Sequence, residues 1–206
     1  MSRARESATR GITWSRALFL STLWAAGLLL TTAAAARRVG RYQLPDSPGI
    51  VILHYEGLAH QVIPPKIYDL TVYADGRAVG EIATRDPVEW RLEDDELAAL
   101  LDALAETGVF SLTTESIARA HARYVAEHYP NGGPDVSDVE PDRLMVRLGG
   151  RREAEGVPYT PLSLDITYDN VSSFAHRLPK VPELAAYSEA VLLLREVLRS
   201  RFPPRG

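Results

Sequence analysis

The sequence contains no cysteine, and only two of its 206 residues, Lys66 and Lys180, are lysine. Without cysteine there is no disulfide framework, no lipidated cysteine, no thiol catalysis and no thiolate metal site, so stability rests on the apolar core. The scarcity of lysine leaves arginine to carry the positive charge and, with the many alanines, reads as coding bias. The G-x-S-x-G elbow, the phosphate-binding glycine loop and the H-E-x-x-H helix are also missing. A hydrolase, nucleotide-binding protein or zinc peptidase of those kinds therefore lacks its main sign.

What is present is an ordinary globular composition, 46% hydrophobic and 24% charged, which argues against wholesale disorder. Charge is unevenly divided. Arg3, Arg5, Arg10 and Arg16 against Glu6 give residues 1–36 a net +3, so residues 37–206 carry −7 of the total of −4. A mature domain this acidic is a poor partner for nucleic acid or for an anionic membrane surface.

The N-terminus has the three parts of an export signal. A basic stretch ends at Arg16, an apolar stretch runs from Ala17 to Leu30, and Ala34-Ala35-Ala36 fits a cleavage site. Ala17 to Ala36 is also an uncharged run long enough to span a bilayer, so a cleaved signal peptide and a retained anchor both stand. Either way the arginines stay inside and the remainder is extracytoplasmic: periplasmic, on the cell surface or secreted. The expected division is 1–36 signal or anchor, 37–48 a polar proline-containing linker, and 49–206 one domain.

Within that domain, Ile50 to Tyr55 reads as a strand, and Gly57 to Lys66 as a loop through Pro64-Pro65. Tyr68, Leu70 and Val72 alternate on the next strand. Asp75-Gly76 predicts a two-residue type I′ hairpin turn, with Arg77 to Ala83 returning. Leu92 to Phe110 is the clearest helical pattern: four carboxylates, Glu93 to Glu96, face the positive end of the helix dipole. Leu97, Leu100, Leu101 and Leu104 make one buried stripe, and Gly108 ends it. Ser116 to Tyr129 is a second helix with Ile117, His121, Tyr124, Val125 and His128 on one face. Pro130 to Asp142 is a Gly/Pro loop, Arg143 to Leu148 a strand and Arg151 to Pro161 a polar loop. Leu162, Leu164, Ile166 and Tyr168 alternate again. Asp169-Asn170 predicts a second hairpin turn with Val171 to Leu178 returning, and Pro182 opens a last helix with a stripe at Leu184, Tyr187, Val191, Leu194 and Leu198.

The fold class is therefore α+β, antiparallel hairpin-based sheets or one shared sheet packed against helices. Two related halves are one reading. Leu70, Val72 and Asp75 precede Leu164, Ile166 and Asp169 by a constant interval, and Asp95-Glu96-Leu97-Ala98-Ala99 matches Pro182-Glu183-Leu184-Ala185-Ala186. The other reading is coincidence between two common hairpin-then-helix units.

The run Leu70-Thr71-Val72-Tyr73-Ala74-Asp75-Gly76-Arg77, the helix Asp95-Glu96-Leu97-Ala98-Ala99-Leu100-Leu101 and the exit Val109-Phe110-Ser111-Leu112 resemble a family of uncharacterised bacterial secreted and lipoprotein domains. The chain departs from it in lacking the lipobox cysteine and in its longer second half. The arrangement is also similar to emfourin-type inhibitors of secreted metallopeptidases. The motifs that carry the resemblance are structural, not catalytic, and no inhibitory residue carries over by motif.

Candidate chemistry is thin. His121 and His128 are two helical turns apart, whereas one metal on one helix prefers four residues. Those histidines, with His54, His60 and His176, read as residues partly buried against the sheet, the alternative being a zinc site with a third ligand elsewhere, and no metal or cofactor is expected. Asp135, Asp138, Glu140 and Asp142 crowd a loop without EF-hand spacing and read as a solvated acidic cluster. The favoured function is a non-enzymatic binding or inhibitor-like module with an envelope or extracellular protein partner, touching the membrane only through its N-terminus. Two loops would carry it: Gly57 to Lys66, with His60, Val62 and Ile63 as apolar anchors, and Pro130 to Asp142 with its acids. The alternative is a hydrolase whose site is assembled from dispersed residues.

Overall fold

A computed structural model of the protein describes residues 36–59, 66–83, 85–131, 141–169, 174–176, 178 and 180–202. Most of the expected signal or anchor (1–35) and the middle of each expected loop (60–65 and 132–140) lie outside these residues. The segments of Ala36–Gly206 form one compact unit.

The domain is built on an eight-stranded antiparallel sheet. The strands are β1 (Arg38–Val39), β2 (Tyr42–Gln43), β3 (Val51–Ala59), β4 (Lys66–Tyr73), β5 (Arg77–Ile82), β6 (Val88–Arg91), β7 (Pro141–Arg151) and β8 (Thr160–Asp169). The helices are α1 (Asp94–Glu106), α2 (Thr114–His128) and α3 (Pro182–Arg201), with a 3-10 turn at Val109–Ser111. The long body of the sheet runs β8-β7-β3-β4-β5-β6, and the short β1-β2 pair joins β7 beyond the end of β3. One shared sheet, not two, is thus what the hairpins build.

Alternation explains why the helices gather on one face. Tyr55, Tyr68, Leu70, Val72, Ala78, Leu144, Val146, Leu164 and Ile166 point to the core and are buried. The helices cover that face with Leu97, Leu101 and Leu104 from α1, Ile117 from α2, and Leu184, Tyr187, Val191, Leu194 and Leu198 from α3. Glu93 starts α1 through a capping box with Glu96, and Gly108 ends the turn after it at φ +82°. Helix α2 begins two residues before its apolar pattern, because the Thr113 hydroxyl accepts from the Ser116 amide.

Several local expectations are corrected. The Asp75-Gly76 hairpin exists, but its loop has three residues, Ala74 to Gly76. The Gly76 amide donates to the Tyr73 carbonyl, and Gly76 at φ +88° is the loop's left-handed residue. This is a type I turn closed by a glycine, the next most common hairpin geometry after the two-residue turns. The polar stretch 37–48 is not a free linker: Val39, Tyr42 and Leu44 are buried, and Arg41 and Tyr42 both donate to Asp102 on α1, at 2.7 and 2.8 Å. Gly57 is not in a loop but inside β3, paired with Tyr68 and Asp142. Within the strand expected to return after Asp169, the described residues 174–176 are helical, and β8 pairs with β7. Leu70 and Leu164 each lie on the second strand of an antiparallel pair, β3-β4 and β7-β8, and β4 pairs onward with β5.

Candidate functional site

The sheet face turned away from the helices has no buried residue among those described. The register lays its side chains out in rows across the strands. One row is Thr167, Arg143, Glu56, Asp69 and Glu81. The next holds Asp165, Met145, His54, Thr71, Val79 and Glu89. Beyond it lie Ser163 and Arg147 on one side and Tyr73, Arg77 and Arg91 on the other. At about 6.8 Å per two residues, the acidic and basic rows are about 14 Å apart.

Glu56, Asp69 and Glu81 stand directly opposite one another on three adjacent strands. Like charges in that position are destabilising. The carboxyl of Asp69 is pushed above its usual range by burial; His54 and the Thr71 hydroxyl pull it down, and Glu56 and Glu81 push it up further. At the edge, Arg143 donates from Nε and Nη2 to the two oxygens of Asp165, at 3.1 and 2.9 Å. That hydrogen bond holds the Asp165 carboxyl below its usual range. At the basic end Arg77 and Arg91 are also opposed. Arg77 lies 3.7 Å from the Tyr73 ring centroid and 3.8 Å from Glu89, which offsets part of the repulsion.

His54, Thr71 and Asp69 are the described group closest in kind to a hydrolytic constellation. His54 Nδ1 is 3.1 Å from the Thr71 hydroxyl, which donates to Asp69 at 3.4 Å, and the same Nδ1 is 4.0 Å from Asp69. A triad needs the acid on one ring nitrogen and the nucleophile on the other. Here both meet Nδ1, so the arrangement orients the ring without activating the hydroxyl.

Of the predicted binding residues, His60, Val62, Ile63, Asp135, Asp138 and Glu140 lie outside the described residues. The strands on either side of those segments nevertheless end together. Ala59 faces Lys66, Gly57 faces Asp142, and Pro141 faces Asp169, all at the end of the sheet nearest the acidic row.

Asp142 is placed differently from its expected neighbours. It is the second residue of β7, points into the core, and is 2% exposed. Arg195 on α3 donates to it from Nη2 at 2.8 Å and to the Tyr55 hydroxyl from Nε at 2.6 Å. The Tyr55 hydroxyl donates to Asp142 at 2.8 Å, and the Tyr187 hydroxyl donates to the Asp142 carbonyl at 2.7 Å. Arg195 also lies 5.0 Å from the Tyr68 ring centroid. Burial alone would pull Arg195 down, but Asp142 and Tyr55 hold it above the ordinary guanidinium value. Gly57 makes room for this cluster: a Cβ there would sit 2.6 Å from Asp142 Oδ1. The cluster fastens α3 to β3 and β7 and is not a solvated acidic surface. Its sequence signal was a lone arginine in the apolar stripe of α3, beside Leu194.

Of the two histidines of α2, His121 is half-buried against the domain, whereas His128, expected to be partly buried, is exposed and contacts its own helix. His121 Nδ1 is 2.7 Å from the Tyr168 hydroxyl, and its ring packs on Phe174 at 4.3 Å between centroids. Burial lowers its pKa. His128 stacks on Tyr124 at 4.0 Å and donates from Nδ1 to the Tyr124 carbonyl. Among the described residues no group of three or more His, Asp or Glu side chains converges as a metal site, and no helix is long and apolar enough to cross a membrane.

Comparison with family models, curated proteins and solved structures finds no match to the chain.

Proposed function

We propose that this chain is a non-enzymatic extracytoplasmic binding module that engages an envelope or extracellular protein through the open face of its sheet. The observation that carries this reading is the row Glu56, Asp69 and Glu81 on three adjacent strands, about 14 Å from the row holding Arg147, Arg77 and Arg91. Glu56, Asp69 and Glu81, like Arg77 and Arg91, are like charges set opposite one another, which costs stability, and Arg143 opposite Glu56 and Glu89 beside Arg77 offset only part of it. A partner with the reverse polarity relieves both rows at once and is fixed in orientation by doing so. The loops carrying His60, Val62, Ile63, Asp135, Asp138 and Glu140 belong to the same proposal as additional contacts at the acidic end. In the inhibitor-like form of this reading, suggested by the resemblance to emfourin-type domains, the partner is a secreted metallopeptidase.

The test is site-specific photo-crosslinking of the full-length chain in its native host. A crosslinking residue replaces Ser163 or Val79 on the open face, or Arg119 on α2 as a control. Discrete adducts are expected from the first two positions only, and the double reversal E56K/E81K should remove them. No adduct from the open face, or the same adducts from Arg119, would overturn the proposal.

A further inference from the structure

On the opposite side of the molecule, the outward stripe of α3 and the last turn of α1 frame an open cleft of about 540 Å³. Its lining combines the apolar Ala103, Leu192 and Leu193 with Glu106, Glu189, Glu196 and Arg199. Leu192 is 51% exposed, more than any other large apolar side chain described. Glu189, Leu192, Leu193 and Glu196 follow i, i+3, i+4, i+7 spacing, so they line one face of α3. That face lies away from the stripe that Leu184, Tyr187, Val191, Leu194 and Leu198 bury in the core. Leu193 is half-buried and packs against the core, whereas Leu192 stands open to solvent.

We infer that this cleft docks a basic amphipathic helix of a partner protein. Three carboxylates beside apolar residues, against one arginine, call for an occupant with apolar residues at helical spacing flanked by arginine or lysine. A groove between two helices offers no unpaired backbone edge, so an added strand has nothing to pair with, whereas a helix can set its side-chain rows between the two walls. A second copy of this chain is a poor occupant. A two-fold pairing of this surface would bring the glutamates of one copy against those of the other. This surface is separate from the open sheet face and does not depend on the reading given for it.

The probe is a labelled synthetic helix of about 18 residues, with leucines at i, i+4 and i+7 and flanking arginines. A twin carries glutamates in place of the arginines. Binding to the full-length protein is read by fluorescence anisotropy. The arginine peptide is expected to bind, and the double reversal E189K/E196K and the single change L192D should each weaken it by roughly tenfold or more. The E153K/E155K protein changes the net charge equally in an exposed loop, and R77E/R91E alters the open sheet face. Neither should weaken binding, and the glutamate twin should not bind. Equal weakening by E153K/E155K would show a general charge effect and overturn the inference, as would failure of the arginine peptide to bind. A concentration-dependent dimer abolished by L192D would assign the cleft to a second copy and also overturn it. Circular dichroism checks that each variant folds, and Leu192, Glu189 and Glu196 are all exposed.

Discussion

Replacing Arg195 by methionine removes one partner of a buried ion pair and leaves the other in place. The Arg195 and Asp142 side chains are 11% and 3% exposed, so water cannot substitute for the lost guanidinium. Breaking a buried pair on one side costs about 3–5 kcal/mol, a large share of the roughly 5–15 kcal/mol that holds a domain together. Replacing both ends, as in R195M/D142L, removes the stranded charge. It still leaves the Tyr55 hydroxyl, which loses the donor and the acceptor it had at 2.6 and 2.8 Å. An unsatisfied buried hydroxyl costs about 1–3 kcal/mol. Adding Y55F removes that hydroxyl too, while Tyr187 keeps its bond to the backbone carbonyl of residue 142. The expected order of stability is R195M lowest, R195M/D142L intermediate, and the triple variant close to the natural protein. Urea denaturation at neutral pH, followed by circular dichroism, measures it. A single variant as stable as the natural protein, or a double variant less stable than R195M, would refute the claim that the charge, not the packing, is what the cluster must satisfy.

Leu101→Ala should cost about 2–5 kcal/mol, because Leu101 is fully buried on α1, and the denaturation midpoint will show it. Gly76→Val should cost about 1–3 kcal/mol. The backbone there has φ +88° and any Cβ would strike the Leu92 carbonyl oxygen, so a variant of unchanged stability would contradict the three-residue loop. His121 has a folded-state pKa lowered by burial, so its contribution is complete above its ordinary value of 6.5 and is lost as pH falls through the folded-state value. His121→Gln should flatten that part of the stability–pH curve. Asp165, depressed by Arg143, follows the same sign in the carboxylate range, and Arg143→Gln should raise its pKa as read by NMR titration.

Much of the fold was legible because it depends on neighbours in sequence. The stripe of α1 and its capping carboxylates, the proline that opens α3, and the alternation of β4, β7 and β8 all appear in the chain order, and the structure contains each of them. The failures fall where a distant contact decides. Gly57 looked like a loop residue because glycine punctuates chains; it lies in a strand between β4 and β7, and it is glycine because the Tyr55 hydroxyl and Asp142, 85 positions later, occupy the space a side chain would take. Asp142 looked like part of an acidic loop because its neighbours are acids; Arg195 draws it into the core. The segment 37–48 looked like a linker because it is polar, yet Tyr42 and Leu44 find their cover on elements far along the chain.

The sequence by itself determined that the folded unit is cysteine-free, acidic and α+β, since composition and periodicity are local properties of the chain. Only the tertiary structure decided which residues share a surface. The acidic row takes Glu56, Asp69 and Glu81 from three strands, and the cleft takes Glu106 from α1 and Glu189 and Glu196 from α3. Strand register and helix packing bring these groups together, and both are set by which apolar faces can be buried at once.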